Sequence, residues 1–483
     1  MVPELLRSVL PWRDPEAVVA SALVPADVAW HDAGARATSG TSTVGWGPAL
    51  TGSADDGSLE AAWASLRAEL PVPTPMPAGA APDPTGWVGW LGHGTGRWLL
   101  GLDPQHDPQP QHEPQHEPQP QPQPQPQHEP QPQPYPRPQH EHPHPEHEPQ
   151  QSPPDLALLR LDHVLTFDHA ARVVEAVSVG DPAWHLHLVD AWSAVPVALP
   201  DPSPVDPGSR PARWDVEGDA YLDLVARCQA AIRDGEAYQL CLTTTVTVDG
   251  PTDALATYAR LRRSSPAPHA WFVRVGGTAL LCASPERALS VDAGGTVTSS
   301  PIKGTRPRHA DPGLDAASAR DLLASEKERA ENLMIVDLVR NDLSRVCRLG
   351  TVAVTELLAL RSHPHVHQLV STVRGELLPG ATVLDALASC LPAGSMTGAP
   401  KRRAVQLLDG WEARPRGAYA GVVGRIGRDG TADLAMVIRS LVVGPCRTTL
   451  GVGGGITSSS VPADEWQEAR LKAAAPLAAL GAR

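Results

Sequence analysis

The chain has 483 residues, enough to bury a sizeable core in one large α+β unit or in about two or three average domains. Its 40 lysine and arginine residues against 54 aspartate and glutamate residues give a formal charge of −14, which argues against a general binder of nucleic acids or anionic membranes. The six cysteines include no CxxC pair, which predicts reduced thiols. The N-terminus lacks the apolar core of a signal peptide, and no apolar stretch reaches about 18 residues. We therefore predict a soluble, cytoplasmic protein.

A low-complexity segment divides the N-terminal part of the sequence. Asp103 to Pro154 consists almost entirely of proline, glutamine, histidine and glutamate. Proline at nearly every second position removes backbone donors, and little apolar surface is present to offset the entropy of ordering. We therefore predict a disordered insertion at 103–154, although its histidines also allow a metal-binding interpretation. The insertion separates residues 1–102 from residues 155–200, the two parts of a predicted N-terminal region.

Strands are predicted on both sides of this insertion. The sequence GWVGWLGHGTGRWLL, Gly86 to Leu100, predicts a strand and a turn, and the alternating pattern of residues 156–179 predicts a hairpin. Residues 201–213 are rich in proline, aspartate and serine and predict a linker. Residues 214–483 then form a long second domain.

This second domain mixes helices and strands without regular alternation. Helices are predicted at about Glu217–Asp234, at Asp315–Arg345 and from Pro462 onward. Strands are predicted near Tyr238–Val248, Ala270–Val275, Ala279–Ala283, Arg287–Asp292, Thr351–Leu358, Gln368–Arg374, Ala418–Ile426, Ala432–Val443 and Thr448–Gly453. Because strands and helices do not alternate, the pattern favours an α+β fold over a parallel βαβ fold.

Two of the predicted helices carry carboxylates on one face. Glu328 and Glu331 lie close together in the long helix, and Glu465 and Glu468 have the same spacing in the C-terminal helix, followed by Lys472. If the two acidic faces meet, they could bind Mg²⁺, which prefers carboxylate oxygens and usually keeps several waters. The spacing alone also fits solvated ion-pair faces, which are commoner on helices.

Three further segments contain residue types suited to chemistry on a small anion. In SSPIKGTRPR, Lys303 follows an apolar residue, and it is either a partly desolvated nucleophile or a surface lysine on a turn. Arg439 interrupts the apolar run LAMVIRSLVV and needs a partner, for which a carboxylate is the natural choice. The glycine-rich sequence GVGGGITSSS could present backbone N–H groups to a carboxylate.

Taken in chain order, these motifs resemble those of one enzyme family. SPER, PIKGT, EKxRAENLMIVDLVRND, PAGSMTGAPK, VIRS, GGGI and ExxExxxK closely resemble the chorismate-binding enzymes, which include anthranilate synthase component I, aminodeoxychorismate synthase component I and the isochorismate and salicylate synthases. The resemblance covers essentially all of Trp214 to Leu480. It implies an α+β fold in which large antiparallel sheets pack as a sandwich with helices on the outside.

The resemblance also implies roles for individual residues. Four carboxylates would hold Mg²⁺, the first two directly and the others through water: Glu331, Glu468, Glu328 and Glu465. The metal would hold the ring carboxylate of chorismate. The enolpyruvyl carboxylate would be held by Arg439, Tyr419 and the backbone of Gly453, Gly454 and Gly455. The pocket would be completed by Ser395, Lys472, Gly304 and Thr305.

Lys303 indicates the branch of the family. PIKGT resembles the aminodeoxychorismate synthases, whereas anthranilate synthases typically have PIAGT. The resemblance implies that the Lys303 amine adds at C2 of chorismate while the C4 hydroxyl leaves, and that ammonia then attacks C4 and expels the lysine. Glu286 of SPER would be the general acid and later the base. Gln239 stands where the water-adding members have a lysine base, which argues against isochorismate formation.

Two other interpretations remain open: anthranilate synthase component I, and a non-catalytic relative that binds chorismate. No cysteine lies in the Gly-x-Cys-x-Gly elbow of a glutaminase, so the resemblance implies a separate glutamine amidotransferase subunit that supplies ammonia. A separate lyase would release p-aminobenzoate for folate or a secondary metabolite. His367 lies one position before the place where the family often has a histidine, so we expect it to point away from the site.

Overall fold

The structure is a computed structural model that describes residues 5–35, 37–73, 83–102, 153–206, 208–363 and 366–483. All but the last two residues of the predicted insertion at 103–154 lie outside the described residues. In the described part, no helix combines the length and the apolar character that crossing a bilayer requires.

The strands of the described residues are short and numerous. In chain order they are β1 (Leu5–Pro11), β2 (Val28–Asp32), β3 (Thr41–Trp46), β4 (Ala49–Gly52), β5 (Gly86–Leu91), β6 (Leu156–Leu161), β7 (His163–Asp168), β8 (Val173–Val179), β9 (Arg213–Trp214), β10 (Gln239–Asp249), β11 (His269–Val275), β12 (Thr278–Ser284), β13 (Arg287–Val291), β14 (Thr296–Ser299), β15 (Ile302–Pro307), β16 (Ala353–Ser362), β17 (Val366–Glu376), β18 (Gly398–Ala399), β19 (Val422–Gly427), β20 (Ala432–Met436), β21 (Ser440–Val443) and β22 (Arg447–Ile456).

The helices lie between these strands. They are α1 (Pro15–Val19), α2 (Ser58–Glu69), α3 (His93–Leu99), α4 (Pro182–Ala191), α5 (Asp219–Arg233), α6 (Ala254–Ser264), α7 (Pro312–Ala324), α8 (Glu326–Ser344), α9 (Val383–Cys390), α10 (Lys401–Asp409) and α11 (Pro462–Leu480).

The strands form two large antiparallel sheets. Sheet A has the order β1-β8-β7-β3-β2-β11-β12-β21-β22-β10-β18, with β9 beside β10. Sheet B has the order β15-β17-β14-β13-β20-β19-β5-β6-β4, with β16 beside β17. Strands from the N-terminal region pair directly with strands of the second domain, β2 with β11 in sheet A and β5 with β19 in sheet B. Both sheets are therefore shared between the two regions of sequence.

Side-chain alternation explains why the sheets stack. On β11, Trp271 and Val273 point into a core between the two sheets, where they meet Trp90 and Val423 of sheet B. Phe272, between them in sequence, points to the other face of sheet A, where it packs in the core under α5, α6, α10 and α11. Sheet B has a matching outer core under α2, α8 and α9. The predicted α+β sandwich with external helices is confirmed.

Two elements predicted as continuous are broken in the structure. The helix predicted over Asp315–Arg345 is two helices, because Ser325 leaves the helical conformation and its hydroxyl accepts a hydrogen bond from the Glu328 N–H. The strand predicted over Ala432–Val443 is also wrong. It is β20 in sheet B followed by β21 in sheet A, and the crossing passes through Arg439 with φ +52°. The breaks place two predicted site residues, Glu328 and Arg439, at or near a change of chain direction.

Helical structure is more extensive than the sequence pattern indicated. The turn predicted after the strand at Gly86 is helix α3, which begins at His93. Helices α1, α2, α4, α6 and α9 were not predicted. In α2 the buried residues Leu59, Ala62, Trp63 and Leu66 follow helical spacing, so this helix could have been recognised from the sequence.

Candidate active site

A cavity of about 700 Å³ lies where α8, α11, β15 and β22 converge. The loop before β13, the loop after α9 and the crossing at Arg439 complete its wall. Every residue predicted for the site lines this cavity: Glu286, Lys303, Gly304, Thr305, Glu328, Glu331, Ser395, Tyr419, Arg439, Gly453, Gly454, Gly455, Glu465, Glu468 and Lys472. Residues far apart in sequence are thus brought together around one space.

Lys303 lies on strand β15, and not on an exposed turn. The pairing of β15 with β17 shifts its register between Lys303 and Thr305, which marks a bulge at Gly304. Gly304 has φ +77°, and a Cβ there would lie 2.7 Å from Leu322 Cδ1 and 3.0 Å from the Glu328 carboxyl carbon, so only glycine fits. The Lys303 side chain is 14% exposed, and its Nζ lies 4.0 Å from Glu331 Oε2.

Glu286 is buried beside this lysine in the loop between β12 and β13. Burial raises the pKa of Glu286 to about 7, although the charge of Lys303, the Ile302 backbone N–H and the Ser395 hydroxyl oppose that rise. A carboxyl group with this pKa can both donate and accept a proton near neutral pH.

The two acidic helix faces meet across the cavity. Lys327 on α8 joins them, because its Nζ lies 2.9 Å from Glu465 Oε1 on α11 and 3.9 Å from Glu331 Oε1. Burial raises the pKa of Glu331, and the negative charges of Glu328 and Glu465 raise it further against the opposing charges of Lys303 and Lys327. This side of the cavity therefore carries buried negative charge that a cation would stabilise.

The donor chemistry of this side fits Mg²⁺. Mg²⁺ in proteins is commonly held by one or two carboxylates, with waters and substrate oxygens in the other positions. Glu331 and Glu468 would be the direct ligands, with Glu328 and Glu465 behind them. In the part of the chain that the structure describes, no three histidine, cysteine, aspartate or glutamate side chains are arranged as a complete metal site. The protein would thus provide part of the coordination shell and leave room for a ligand.

Arg439 also lines the cavity. Burial lowers the pKa of its guanidinium, which Tyr419 and Glu468 partly offset. Among the described residues, Arg439 makes no ion pair with a carboxylate within 4.0 Å. A partly buried guanidinium without a bidentate partner is well suited to bind the carboxylate of a ligand.

Glycines of β22 line the cavity beside these charged groups. A Cβ at Gly451 would collide with the Tyr419 ring at 2.2 Å, and one at Gly455 would lie 2.1 Å from Gln239 Nε2 and 3.6 Å from Lys303 Nζ. At Gly454 it would lie 3.2 Å from Glu465 Oε2. Side chains here would therefore fill the space beside the reactive groups.

Two further side chains, Lys472 and Gln368, contact β22 and the cavity wall. Lys472 donates a hydrogen bond from Nζ to the Gly453 carbonyl at 2.7 Å and pairs with Glu468 at 2.7 Å. Gln368 Nε2 lies 3.5 Å from Thr305 Oγ1 at the cavity wall. His367 points elsewhere, with its ring nitrogens 2.8 Å from Ser362 Oγ and 3.0 Å from Asp315 Oδ1. Its neighbour Gln368 is the one that faces the cavity.

Two further cations, Lys327 and Arg306, line the cavity and were not predicted from the sequence. Arg306 pairs with Asp321 at 2.6 Å and with Glu328 at 3.5 Å. The spacing of Lys327 and Glu331, four residues apart on one helix, is a recognisable ion-pair signal. Nothing in the local sequence indicates that Lys327 also reaches Glu465 on a different helix.

A cavity lined by carboxylates, a guanidinium and a largely buried amine is suited to a small carboxylated substrate. Comparison with known families gives the same class in more detail. The model for chorismate binding enzymes matches residues 133–478. The chain belongs to the chorismate-binding enzyme family.

Several characterised proteins are similar in sequence. The chain is 42% identical over 339 residues to an aminodeoxychorismate synthase of Streptomyces pristinaespiralis, a match that covers 68% of this chain and 47% of that protein. It is 37% identical over 349 residues to anthranilate synthase component 1 of Streptomyces coelicolor, covering 68% of this chain and 67% of that one. The chain thus spans about half the length of the aminodeoxychorismate synthases it matches.

Solved structures share the fold. Anthranilate synthase component I from Streptococcus pneumoniae superposes with a TM-score of 0.67 at 24% identity, covering 90% of this chain and 92% of that chain. MenF, the menaquinone-specific isochorismate synthase from Escherichia coli, has a TM-score of 0.67 at 17% identity, covering 99% and 95%. At these identities the likeness establishes the architecture alone.

Proposed function

We propose that this chain is the chorismate-aminating component of an aminodeoxychorismate synthase, which converts chorismate and ammonia to 4-amino-4-deoxychorismate. The observation that carries the proposal is the position of Lys303, an amine on a bulged strand inside the cavity, near Glu286 and Glu331. Sequence similarity supports both aminodeoxychorismate and anthranilate synthases. Lys303 favours the first, because anthranilate synthases typically have a small residue there.

The charges of the cavity suggest one orientation of the substrate. Chorismate is a dianion, and one carboxylate would face Arg439 and the backbone of β22. The ring carboxylate would face Glu331 and Glu468, which repel it without a cation between them. Bound Mg²⁺ would supply that positive charge. Lys303, which lines the same cavity, would then lie beside the ring.

The chemistry follows from Lys303 and Glu286. The lysine amine forms a bond to C2, the conjugated double bonds shift, and the C4–O bond breaks as Glu286 gives its proton to the departing hydroxide, which leaves as water. Ammonia then bonds to C4, the double bonds shift back, and the C2–N bond breaks to return the lysine amine. Glu286 takes up the proton that ammonia loses, so the enzyme ends as it began.

Ammonia is proposed to come from a separate glutamine amidotransferase subunit, in the cytoplasm. All six cysteines are free thiols, four of them buried, in keeping with a reducing compartment. None stands in a glutaminase elbow in this sequence. The product keeps its enolpyruvyl group, so a lyase is needed to form p-aminobenzoate.

Product analysis tests the proposal. The protein is incubated with chorismate, Mg²⁺ and ammonium at alkaline pH, with and without an aminodeoxychorismate lyase. We expect p-aminobenzoate only when the lyase is present, because this site keeps the enolpyruvyl group. Anthranilate formed without the lyase would identify the alternative, anthranilate synthase component I, and unchanged chorismate would favour a non-catalytic relative.

The proposed role of Glu286 implies that the rate of Lys303 adduct formation depends on pH. As the acid for the departing hydroxide it must be protonated, and its pKa of about 7 means that this form is lost as pH rises through neutrality. We expect Glu286→Gln to slow Lys303 adduct formation by about 10²–10³-fold. The ratio of the wild-type rate to the variant rate should fall above about pH 7. Groups that titrate in both proteins cancel in this ratio, so its pH dependence reports on Glu286.

Ser395→Ala is the companion variant. The Ser395 hydroxyl stabilises the charged form of Glu286, so its removal should raise the pKa of Glu286 and move this fall to higher pH. A wild-type to Glu286→Gln ratio that does not change with pH would remove Glu286 from the proton transfer.

A further inference from the structure

We infer that Lys327 is an internal counter-cation of the metal side: it links the acidic faces of α8 and α11 in the metal-free protein and must move away when Mg²⁺ binds, so that it weakens Mg²⁺ binding. This inference rests on the proposed function only in taking these carboxylates as a metal site. It assigns Lys327 a role in setting the metal affinity, separate from any contact with chorismate.

The position of Lys327 carries the inference. It lies in the first turn of α8, and its ammonium is 2.9 Å from Glu465 Oε1 and 3.9 Å from Glu331 Oε1. The two acceptors belong to different helices, α8 and α11, and both carboxylates are largely buried, with side chains 9% and 3% exposed for Glu331 and Glu465. The Lys327 ammonium therefore offsets the same negative charge that a metal ion bound between α8 and α11 would offset.

Lys327 is also able to leave. Its side chain is 40% exposed, and a lysine has a long flexible stem that can turn into solvent. The other two lysines of the cavity wall are held differently. Lys303 is 14% exposed, and Lys472 is tied to the Gly453 carbonyl as well as to Glu468. Of the three lysines, Lys327 has the most direct route from the carboxylates to water.

Removing the Lys327 ammonium should have opposite effects on the stability of the metal-free protein and on its affinity for Mg²⁺. Without metal, removing the ammonium leaves Glu331 and Glu465 repelling each other in a partly dry space, which destabilises the fold. With Mg²⁺ present, the same removal eliminates a competing positive charge next to the incoming ion, which tightens binding. A residue that served only as a helix-to-helix ion pair would show the first effect without the second.

The test uses the full chain and its Lys327→Met variant, which keeps the apolar stem. Mg²⁺ binding is measured by isothermal titration, and thermal unfolding is measured with and without Mg²⁺. We expect the variant to bind Mg²⁺ about ten-fold more tightly. The increase is modest because solvent screens the charge of the partly exposed Lys327. Its Tm should fall by about 1–2 °C without metal and recover in saturating Mg²⁺.

Arg329→Gln is the matched control. Arg329 lies in the same turn of α8, is exposed and contacts the Leu323 carbonyl at 3.5 Å, away from the carboxylates. It should leave both readouts unchanged. Equal Mg²⁺ affinity in wild type and Lys327→Met would overturn the inference and leave the proposed function intact. Absence of Mg²⁺ binding to both proteins would reject the metal site itself, and the inference with it.

Discussion

Replacement of Lys303 by alanine is expected to reduce formation of aminodeoxychorismate by at least about 10³-fold, since the variant lacks the amine that forms the covalent intermediate. Lys303 lies inside the cavity, and its nearest ionic partner is Glu331, at 4.0 Å. We therefore expect the loss of this side chain to have little effect on the stability of the fold. Chorismate should still bind, because Arg439 and the metal side are unchanged.

Two measurements separate nucleophilicity from charge. Mass spectrometry of the wild-type protein with chorismate and Mg²⁺, without ammonia, should show a species heavier by chorismate minus one water, and Lys303→Ala should not form it. Lys303→Arg keeps a positive charge near Glu331 but offers no usable nucleophile at neutral pH. It should therefore be as inactive as the alanine variant. Wild-type turnover in either variant would disprove the covalent route.

The sequence predicted the cavity better than it predicted the chain path around it. Lys303 and Arg439 stood out as charges beside apolar residues and Glu331 as one of two carboxylates on a helix face, but their roles came from the family resemblance. Pattern reasoning failed for the strand over Ala432–Val443. An apolar run looks continuous whether it stays in one sheet or crosses between two, and the crossing at Arg439 depends on tertiary packing.

Long-range pairing explains the other omissions. The N-terminal strands β2 and β5 are completed by β11 and β19, and such partners cannot be identified from the local pattern of either strand. Lys327 is a similar case, because its contact with Glu331 follows from helical spacing whereas its contact with Glu465 requires α11 to lie across the cavity. Local periodicity determined the elements, and tertiary contacts determined which charges are shared.

Arg439→Met should separate substrate binding from stability. Truncating one partner of a desolvated charge pair costs a few kcal/mol, so we expect kcat/KM for chorismate to fall by about 10²–10³-fold. The Tm of the ligand-free variant should stay level or rise, because methionine removes a partly buried charge that has no ion-pair partner among the described residues. The left-handed backbone at position 439 is strained equally with either side chain.

Arg425→Met provides the matched comparison on a neighbouring strand. The Arg425 guanidinium is also largely buried, but it donates hydrogen bonds to the carbonyls of Asp83, Pro84 and Thr85 at 2.6–3.2 Å, outside the cavity. Its removal leaves those acceptors unsatisfied, so Tm should fall while kcat/KM of the folded protein stays the same. If Arg439→Met instead lost stability and kept its kcat/KM, Arg439 would be a structural residue, and the carboxylate site would have to lie elsewhere in the cavity.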